Sequence, residues 1–380
     1  METPDLKSAR YWESDDVDLR LNPRRRIDAE GLVPFLVEEA GIRSSVVLAT
    51  SGSSGGFKFV VLSRDALLTS AKTVIEHSGL VADDVSLAGL SGFHVGGLGI
   101  YARAYLSDSA IVEMDSSQWQ RDGAELVRVI EENQVTLTSM TPTHLHDLVT
   151  HGVKAPESLR LVFLGGGRMD EALIDRAREL RWPVRVSYGM TEAGSQIATA
   201  RDEAIEALPV LPCWDAKTLA NGRLAIRGDA LFSGYAIRKN GRWTFDAGSD
   251  RDGWFATGDR CEVTDGELRF LGRADDLVKI SGELVSVSEI DRLAESLARE
   301  RGGDAAVVAL PDERRGHVLV AVVESGGRDN PDFLRTLNAT RDGIEAVHRM
   351  VTVDQLPRTE IGKRNRAALE EIAAAGLEDL

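Results

Sequence analysis

The chain has few cysteines and no clear metal-ligand spacing. Its 380 residues include two cysteines, Cys213 and Cys261, and seven histidines. The cysteines are about fifty residues apart and the histidines form no H-E-x-x-H pattern, so the sequence predicts neither a disulfide framework nor a zinc site. We expect the two cysteines to be ordinary thiols.

Long apolar runs and an excess of positive charge are also missing. The N-terminus, METPDLKSARYWESDD, has no apolar core of the kind that a signal peptide needs, and no later segment resembles a membrane span. A formal net charge of -16 argues against nucleic acid and acidic membranes as partners. We therefore expect a cytoplasmic protein, free to be a monomer or a homo-oligomer. Its hydrophobic content of 43% is sufficient for two or three domains.

A glycine- and hydroxyl-rich stretch, TSGSSGGFK, follows the short apolar run of residues 46–49, which is typical of a buried strand. Glycines allow a ligand to approach the backbone, and exposed N–H groups with a lysine would form a cradle for an anion, most simply a polyphosphate. A flexible linker is the alternative. A P-loop is excluded because Phe57 replaces the glycine before the lysine and no hydroxyl follows. The residues of this candidate phosphate loop are Thr50, Ser51, Gly52, Ser53, Ser54, Gly55, Gly56 and Lys58.

Helical and strand patterns alternate between residues 123 and 194, which predicts an α/β fold with a mainly parallel sheet covered by helices. Ligands bind beyond the carboxyl ends of the strands in such sheets. TSGSSGGFK, a triple glycine at 165–167 and SYGMTEAGS from Ser187 fall where strands should end, so we expect one site at one sheet edge. After Gly222, short strands joined by D-G and N-G turns are predicted. The predicted domains are 1–272 and a smaller α+β domain, 273–380.

Five motifs, in this order, resemble the successive signatures of the acyl-adenylate-forming superfamily of acyl-CoA synthetases, adenylation domains and luciferases. They are TSGSSGGFK, YGMTE (188–192), GWFATGD (253–259), GRADDLVKISGE (272–283) and PRTEIGK (357–363). The resemblance implies a reaction in two halves. A carboxylate attacks the α-phosphorus of ATP, with Mg²⁺, to give acyl-AMP and pyrophosphate; a thiol, commonly that of CoA, then attacks the acyl carbon and displaces AMP.

The resemblance implies that the phosphate loop holds the β and γ phosphates of ATP. Ser54, Phe57 and Phe59 stand where threonine, proline and glycine are common in the family, and Ser54 keeps the hydroxyl. Tyr188 would stack near adenine. Backbone around the nucleotide would come from Gly165, Gly166, Gly167 and Gly189.

Four polar residues would act around the phosphates and the ribose. Thr191 would contact the α-phosphate and Glu192 would bind Mg²⁺, a hard ion that prefers oxygen ligands. Asp259 would accept hydrogen bonds from the ribose hydroxyls, and Arg273 would add a contact to ribose or phosphate. The alternatives are an N-cap for Thr191 with its neighbouring acid, and a turn cap for Asp259.

The C-terminal motifs imply a mobile domain. Asp275 matches the family's hinge, about which the domain rotates between the two halves of the reaction. Lys363 matches the lysine that bridges the attacking carboxylate and the α-phosphate, where it stabilises developing charge. In the other orientation, Lys279, Ser281 and Gly282 would approach the thiol channel. The alternatives are a surface acid at Asp275 and a solvated lysine at Lys363.

The segment LSGFHVGGLGIYARAYL, from Leu90, resembles the acyl-pocket motif of the o-succinylbenzoate-CoA ligases of menaquinone biosynthesis, a branch of this superfamily. His94 matches the histidine of that motif. Arg103 matches an arginine suited to the second, unreacted carboxylate of the acid, because a buried charge needs a partner. An exposed helix cation is the alternative for Arg103.

Two other functions stay open at this point. One is an aryl- or short-chain acyl-CoA ligase that acts on a monocarboxylate. The other is an adenylating module that loads a carrier protein, or a degenerate nucleotide-binding protein. CoA and a carrier-borne phosphopantetheine present the same thiol arm, so the motifs do not separate these acceptors.

Overall fold

The structure, a computed structural model, describes most of the chain. The described residues are 5–23, 27–51, 57–114, 122–167, 169–202, 204–274, 277–281, 283–312, 314–324, 332–339, 343, 345–359 and 364–378.

Strands and helices alternate through the first half of the chain, and strands dominate the second. The strands are β1 (Val17–Arg20), β2 (Ser45–Ser51), β3 (Phe57–Ser63), β4 (Val85–Ala88), β5 (Ala110–Glu113), β6 (Leu137–Met140), β7 (Leu161–Leu164), β8 (Val184–Met190), β9 (Ser195–Thr199), β10 (Ala207–Pro209), β11 (Asp215–Thr218), β12 (Arg223–Arg227), β13 (Gly234–Lys239), β14 (Arg242–Asp246), β15 (Phe255–Thr264), β16 (Glu267–Arg273), β17 (Leu277–Ile280), β18 (Glu283–Ser286), β19 (Ala305–Asp312), β20 (Gly316–Glu324) and β21 (Val347–Val353). The helices are α1 (Ala9–Trp12), α2 (Leu32–Pro34), α3 (Arg64–Ser78), α4 (Val95–Ser107), α5 (Ala124–Glu132), α6 (Pro142–Thr150), α7 (Glu171–Glu179), α8 (Val287–Arg299), α9 (Phe333–Asn338) and α10 (Arg366–Glu378). Within the described ranges, no helix is both long and apolar enough to cross a membrane.

The chain divides into two compact units. The first comprises Met1–Thr257 and Cys261–Phe270, and the second comprises Gly258–Arg260 and Leu271–Leu380. The domain bounds of 1–272 and 273–380, and the mobility of the second domain, stay predictions.

The largest sheet of the first unit is mainly parallel, as the sequence predicts. Its strand order is β5-β4-β6-β7-β8-β9, and only the last pair, β8 with β9, is antiparallel. Every residue of β6 and β7 is buried, which is typical of parallel strands covered by helices. The α/β fold class is confirmed.

Several helices of this unit begin at a residue whose side chain caps them. Ser63 accepts a hydrogen bond from the backbone N–H of Ala66 and begins α3, which ends at Gly79 in the left-handed conformation. Thr141 directly follows β6 and caps α6, with Pro142 at the first helical position.

The strands that flank the phosphate-loop stretch do not belong to the parallel sheet. β2 and β3 form an antiparallel pair in a second sheet, of order β1-β2-β3-β13-β14. The strand also continues past the predicted end at Ala49, because Thr50 pairs with Lys58 and Ser51 with Phe57. Phe59 is 2% exposed and its ring packs edge-on against Trp243, so burial of this residue fixes the second strand of the hairpin.

The chain after Gly222 folds into short strands, as predicted. A third sheet has the order β10-β16-β15-β12-β11. The turn between β15 and β16 contains Asp265 and Gly266, both with positive φ, which is the conformation that a D-G hairpin turn requires.

The second unit has its own apolar core. Its sheet, β19-β20-β21, buries Val307 and Ala321 with Ile290 of α8 in one cluster. Val308 and Val320 alternate with them along the strands and are buried with Leu369 of α10 in another cluster. Side chains alternate across a strand, so α8 and α9 cover one face of the sheet and α10 covers the other.

Candidate active site

The predicted metal ligand lies at the end of β8. Thr191 and Glu192 begin a short 3-10 turn directly after this strand, and Gly194 ends the turn with φ +59. Gly189 pairs so closely with β9 that a Cβ there would collide with the carbonyl oxygen of Ser195. The strand extends through Ser187–Met190, past Ser187, where the sequence predicts that it ends.

Glu192 and Lys58 meet at a third residue, Tyr235. The Tyr235 hydroxyl donates a hydrogen bond to Oε1 of Glu192 at 2.7 Å. The Nζ atom of Lys58 lies 5.4 Å from the centroid of the Tyr235 ring. The structure thus brings together two residues that the sequence predicts for the metal and the phosphates, and adds a tyrosine that sequence reasoning missed.

The predicted adenine side of the site is formed by the ends of β7 and β8. A Cβ at Gly165 would lie 2.6 Å from Oγ of Ser187, so glycine is required for this close approach. The Ser187 hydroxyl donates to the carbonyl oxygen of Leu164 at 3.2 Å. The Tyr188 ring packs against Phe270, with 5.6 Å between centroids, and 45% of Phe270 is exposed. Phe270 is a second residue that the motifs did not indicate.

The predicted acyl-pocket motif forms the start of α4. His94 is the N-cap, and its ring lies 4.8 Å from that of Phe93. A Cβ at Gly97 would collide with the carbonyl oxygen of Ser91, so the glycines of the motif allow the helix to begin tightly against the preceding turn. His94 and Arg103 are thus carried on one helix.

Arg103 is buried and is not an exposed helix cation. It is 5% exposed, its Nη2 donates to Oγ of Ser139 at 3.4 Å, and its guanidinium carbon lies 5.1 Å from the centroid of Phe163. Burial lowers the pKa of the Arg103 guanidinium to about 10, so the group stays charged at neutral pH. No carboxylate of the described residues forms an ion pair with it.

A small gap borders this guanidinium. The gap is too small for a water molecule, and its lining includes Arg103, Ser86, Thr138 and Ser139. The Thr138 hydroxyl is buried without a hydrogen-bond partner among the described residues. An anionic group that reached this part of the site would therefore meet a buried cation, and side chains would have to shift to admit it, because the gap holds no water-sized space.

The predicted ribose ligands form an ion pair in the second unit. Nη1 of Arg273 donates to Oδ1 of Asp259 at 3.0 Å, and Asp259 is 7% exposed. A Cβ at Gly258 would lie 2.9 Å from Nη2 of Arg273, so the glycine leaves room for the guanidinium. The arginine fixes the orientation of the carboxylate.

Several predicted residues lie outside the described residues. These are Gly52, Ser53, Ser54, Gly55, Gly56, Asp275, Gly282 and Lys363, and the side chain of Lys279 is likewise not described. Their roles stay predictions.

Fold and site define a class of protein. A model of the family of AMP-binding enzymes matches residues 44–236, and the chain belongs to this family. The matched range contains β8 with Glu192, the hairpin with Lys58, and α4 with His94 and Arg103.

The more particular likeness is to one ligase. A 2-succinylbenzoate-CoA ligase from Bacillus licheniformis is 31% identical over 374 residues, which cover 91% of this chain and 75% of the relative. A ligase of the same name from Listeria monocytogenes is 27% identical, with coverages of 89% and 72%. Among solved structures, a variant of E. coli MenE with bound OSB-AMS is 26% identical, with a TM-score of 0.70 and coverages of 86% and 68%. O-succinylbenzoate coenzyme A synthetase (MenE) from Bacillus subtilis, in complex with AMP, is 25% identical, with a TM-score of 0.72 and the same coverages.

Proposed function

We propose that this chain is an AMP-forming acid-thiol ligase that joins 2-succinylbenzoate to CoA through an acyl-adenylate. The observation that carries the choice of acid is the buried guanidinium of Arg103, for which the described residues provide no carboxylate partner. A charge in such a place is costly unless a ligand compensates it. A dicarboxylate would do so with its unreacted group while the other carboxylate reacts. The names of the relatives support the same acid.

The donor set around Glu192 fits Mg²⁺ bound together with nucleotide phosphates. No cluster of three or more His, Cys, Asp or Glu side chains that could hold a metal occurs in the described part of the chain. Mg²⁺ in phosphate-transfer sites commonly takes one or two carboxylates and completes its shell with phosphates and water. Glu192 supplies such a carboxylate. The ion would neutralise charge as pyrophosphate leaves.

In the first half of the reaction, a carboxylate oxygen of the acid forms a bond to the α-phosphorus, and the bond from that phosphorus to the pyrophosphate oxygen breaks. Lys58 attracts the leaving phosphates, Thr191 contacts the α-phosphate, and Lys363 stabilises the charge on the attacking group. Asp259 holds the ribose, and Tyr188 packs against the base. In the second half, the CoA thiol loses its proton to water, its sulfur bonds to the acyl carbon, and the bond from that carbon to the AMP oxygen breaks.

Pyrophosphate release tests the choice of acid. The purified chain is incubated with ATP and Mg²⁺ plus 2-succinylbenzoate, benzoate or short fatty acids, each with and without CoA. We expect release with 2-succinylbenzoate. Arg103→Met, which keeps the side-chain volume, should lower kcat/KM for the dicarboxylate by roughly 100-fold or more, since breaking a buried charge pair costs about 3–5 kcal/mol. Turnover of any accepted monocarboxylate should change little.

The controls separate binding from folding. Arg103→Lys keeps the charge and should recover part of the activity, and thermal unfolding should show that the Met variant is folded. Release only with a monocarboxylate would contradict the proposed acid and indicate a general acyl-CoA ligase. No release with any acid would contradict the ligase itself and favour a carrier-loading module or a degenerate nucleotide-binding protein.

A further inference from the structure

We infer that Tyr235 is a positioning residue that holds the metal-binding carboxylate and the phosphate-binding lysine in one arrangement. This inference rests on the proposed function, because that function gives Mg²⁺ to Glu192 and the phosphates to Lys58. Tyr235 belongs to none of the motifs that the sequence presents, and it touches both residues at once.

The hydrogen bond to Glu192 orients the carboxylate. The phenol donates to Oε1 at 2.7 Å, which is a short, charge-assisted bond. One oxygen of the carboxylate is thereby fixed, so the plane of the group and the direction of Oε2 are restricted. The backbone of Glu192 is held as well, because its carbonyl oxygen accepts the N–H of Phe232 at 2.8 Å. Hydrogen bonds of this kind to a metal ligand commonly contribute 10- to 100-fold to metal affinity or activity.

The ring of Tyr235 restricts Lys58. Tyr235 lies opposite Val60 in the antiparallel pair of β13 with β3, and Lys58 is two residues from Val60 on the same strand. Side chains two residues apart lie on the same face of a strand, so the ring and the lysine are diagonal neighbours. The amine lies 5.4 Å from the ring centroid, within the range of a cation–π interaction.

Aromatic packing fixes the tyrosine itself. The Phe232 and Phe255 rings pack edge-on against it, with centroid distances of 4.7 Å and 6.4 Å. Gly234, next to it, has φ +153 and a Cβ there would collide with the carbonyl oxygen of Asp246. The Tyr235 side chain, which contacts Glu192 and Lys58, is therefore held by the two phenylalanine rings and by the close backbone packing at Gly234.

The experiment separates metal binding from nucleotide binding by calorimetry. A non-hydrolysable ATP analogue is titrated into the protein with and without Mg²⁺, and AMP is titrated as a ligand that lacks the β and γ phosphates. For Tyr235→Phe, which keeps the ring, we expect the gain in affinity that Mg²⁺ gives to fall by roughly 10-fold or more, with AMP affinity unchanged. Tyr235→Leu should in addition weaken the metal-free binding of the analogue, because the lysine loses its ring.

Tyr11→Phe is the matched control. Tyr11 also donates to a carboxylate, Oδ2 of Asp18 at 2.8 Å, so its variant loses the same type of bond elsewhere in the first unit. We expect no change in the effect of Mg²⁺. If the wild-type protein shows no Mg²⁺-dependent binding of the analogue, the proposed function fails. If the wild type shows it and Tyr235→Phe behaves like the wild type, or weakens AMP and analogue equally, the positioning role of Tyr235 is wrong.

Discussion

At the scale of single residues, the sequence predicts site residues well where they are close together in the chain. YGMTE places an aromatic ring, a hydroxyl and a carboxylate within five residues, and all of them lie at the end of one strand. Sequence analysis did not identify Tyr235 and Ser139, because their contacts join distant parts of the chain. The hydrogen bond from Tyr235 to Glu192 spans 43 residues, and that from Arg103 to Ser139 spans 36. No local spacing encodes such pairs, since the packing of helices, turns and strands in the folded chain decides them.

Asp259 gives a prediction at this scale. The carboxylate that Arg273 orients is proposed to accept hydrogen bonds from the ribose hydroxyls, which ATP and AMP share. Asp259→Ala should therefore weaken both nucleotides alike, by roughly 10- to 100-fold, the usual value of hydrogen bonds to a charged group. The measurement is calorimetric titration with each nucleotide.

Asp265→Asn is the control for Asp259, because it removes an acid from the turn of the same hairpin while keeping a residue that tolerates positive φ. Its nucleotide affinities should match those of the wild type. A loss of ATP affinity in Asp259→Ala with normal AMP affinity would contradict a ribose contact and point to the phosphates.

At the scale of elements, the helices and the parallel strands follow from hydrophobic periodicity and from caps, whereas the hairpin of β2 and β3 does not. Glycine and serine in TSGSSGGFK indicate a turn, but they do not determine whether a strand or a helix comes after it. The decisive feature is burial of Phe59 under Trp243, and that contact is made only when β13 and β14 complete the sheet. Tertiary packing outweighs local pattern here.

Helix α6 gives a prediction about pH. Its capping box uses His144, whose Nδ1 accepts the backbone N–H of Thr141 at 3.4 Å. Burial lowers the pKa of His144 to about 4, although Asp147 acts in the opposite direction. The ordinary value in an unfolded chain is about 6.5. Between these two values the unfolded state binds more protons, so the free energy of unfolding should fall as the pH decreases from about 6.5 towards 4.

The change in melting temperature between pH 7 and pH 5 measures this effect. His144→Gln keeps a side chain that can serve the capping box but does not titrate. Its melting temperature should depend less on pH than that of the wild type. His151→Gln, at the exposed C-terminal end of the same helix, should keep the wild-type dependence. Equal dependence in all three proteins would show that His144 is not the group responsible.

At the scale of the whole molecule, the predicted family and α/β class are confirmed. The family could be predicted from the sequence because five motifs in a fixed order carry far more information than any one of them. The site residues remain predictions, since motifs name residue types and order but give no distances.

The second unit gives a prediction at this scale. Both faces of its sheet are covered by its own helices, and Asp304, with 11% of its side chain exposed, forms ion pairs with Arg358 and Arg364. A fragment of residues 271–380 should therefore fold alone and unfold cooperatively in urea. Asp304→Ala should lower its free energy of unfolding by about 1.5–3 kcal/mol, the usual value of hydrogen bonds to a charged group, because Arg358 loses its acid whereas Arg364 keeps Asp291 and Glu295.

Circular dichroism of the fragment checks this. Asp332→Ala, an exposed acid that pairs with Arg335 within a helical turn, should change the free energy of unfolding by less than about 1 kcal/mol. A fragment without a cooperative transition would contradict an independent core.

The buried guanidinium of Arg103, which has no carboxylate partner among the described residues, also has an evolutionary consequence. In the free protein it is a thermodynamic liability, and buried ion groups can often be replaced by apolar side chains of similar volume with no loss, or even a gain, of stability. A laboratory selection for heat resistance alone should therefore tend to discard it, whereas growth that depends on the dicarboxylate should retain it. Retention of the arginine would then show that selectivity for the dicarboxylate is kept at the expense of thermal stability.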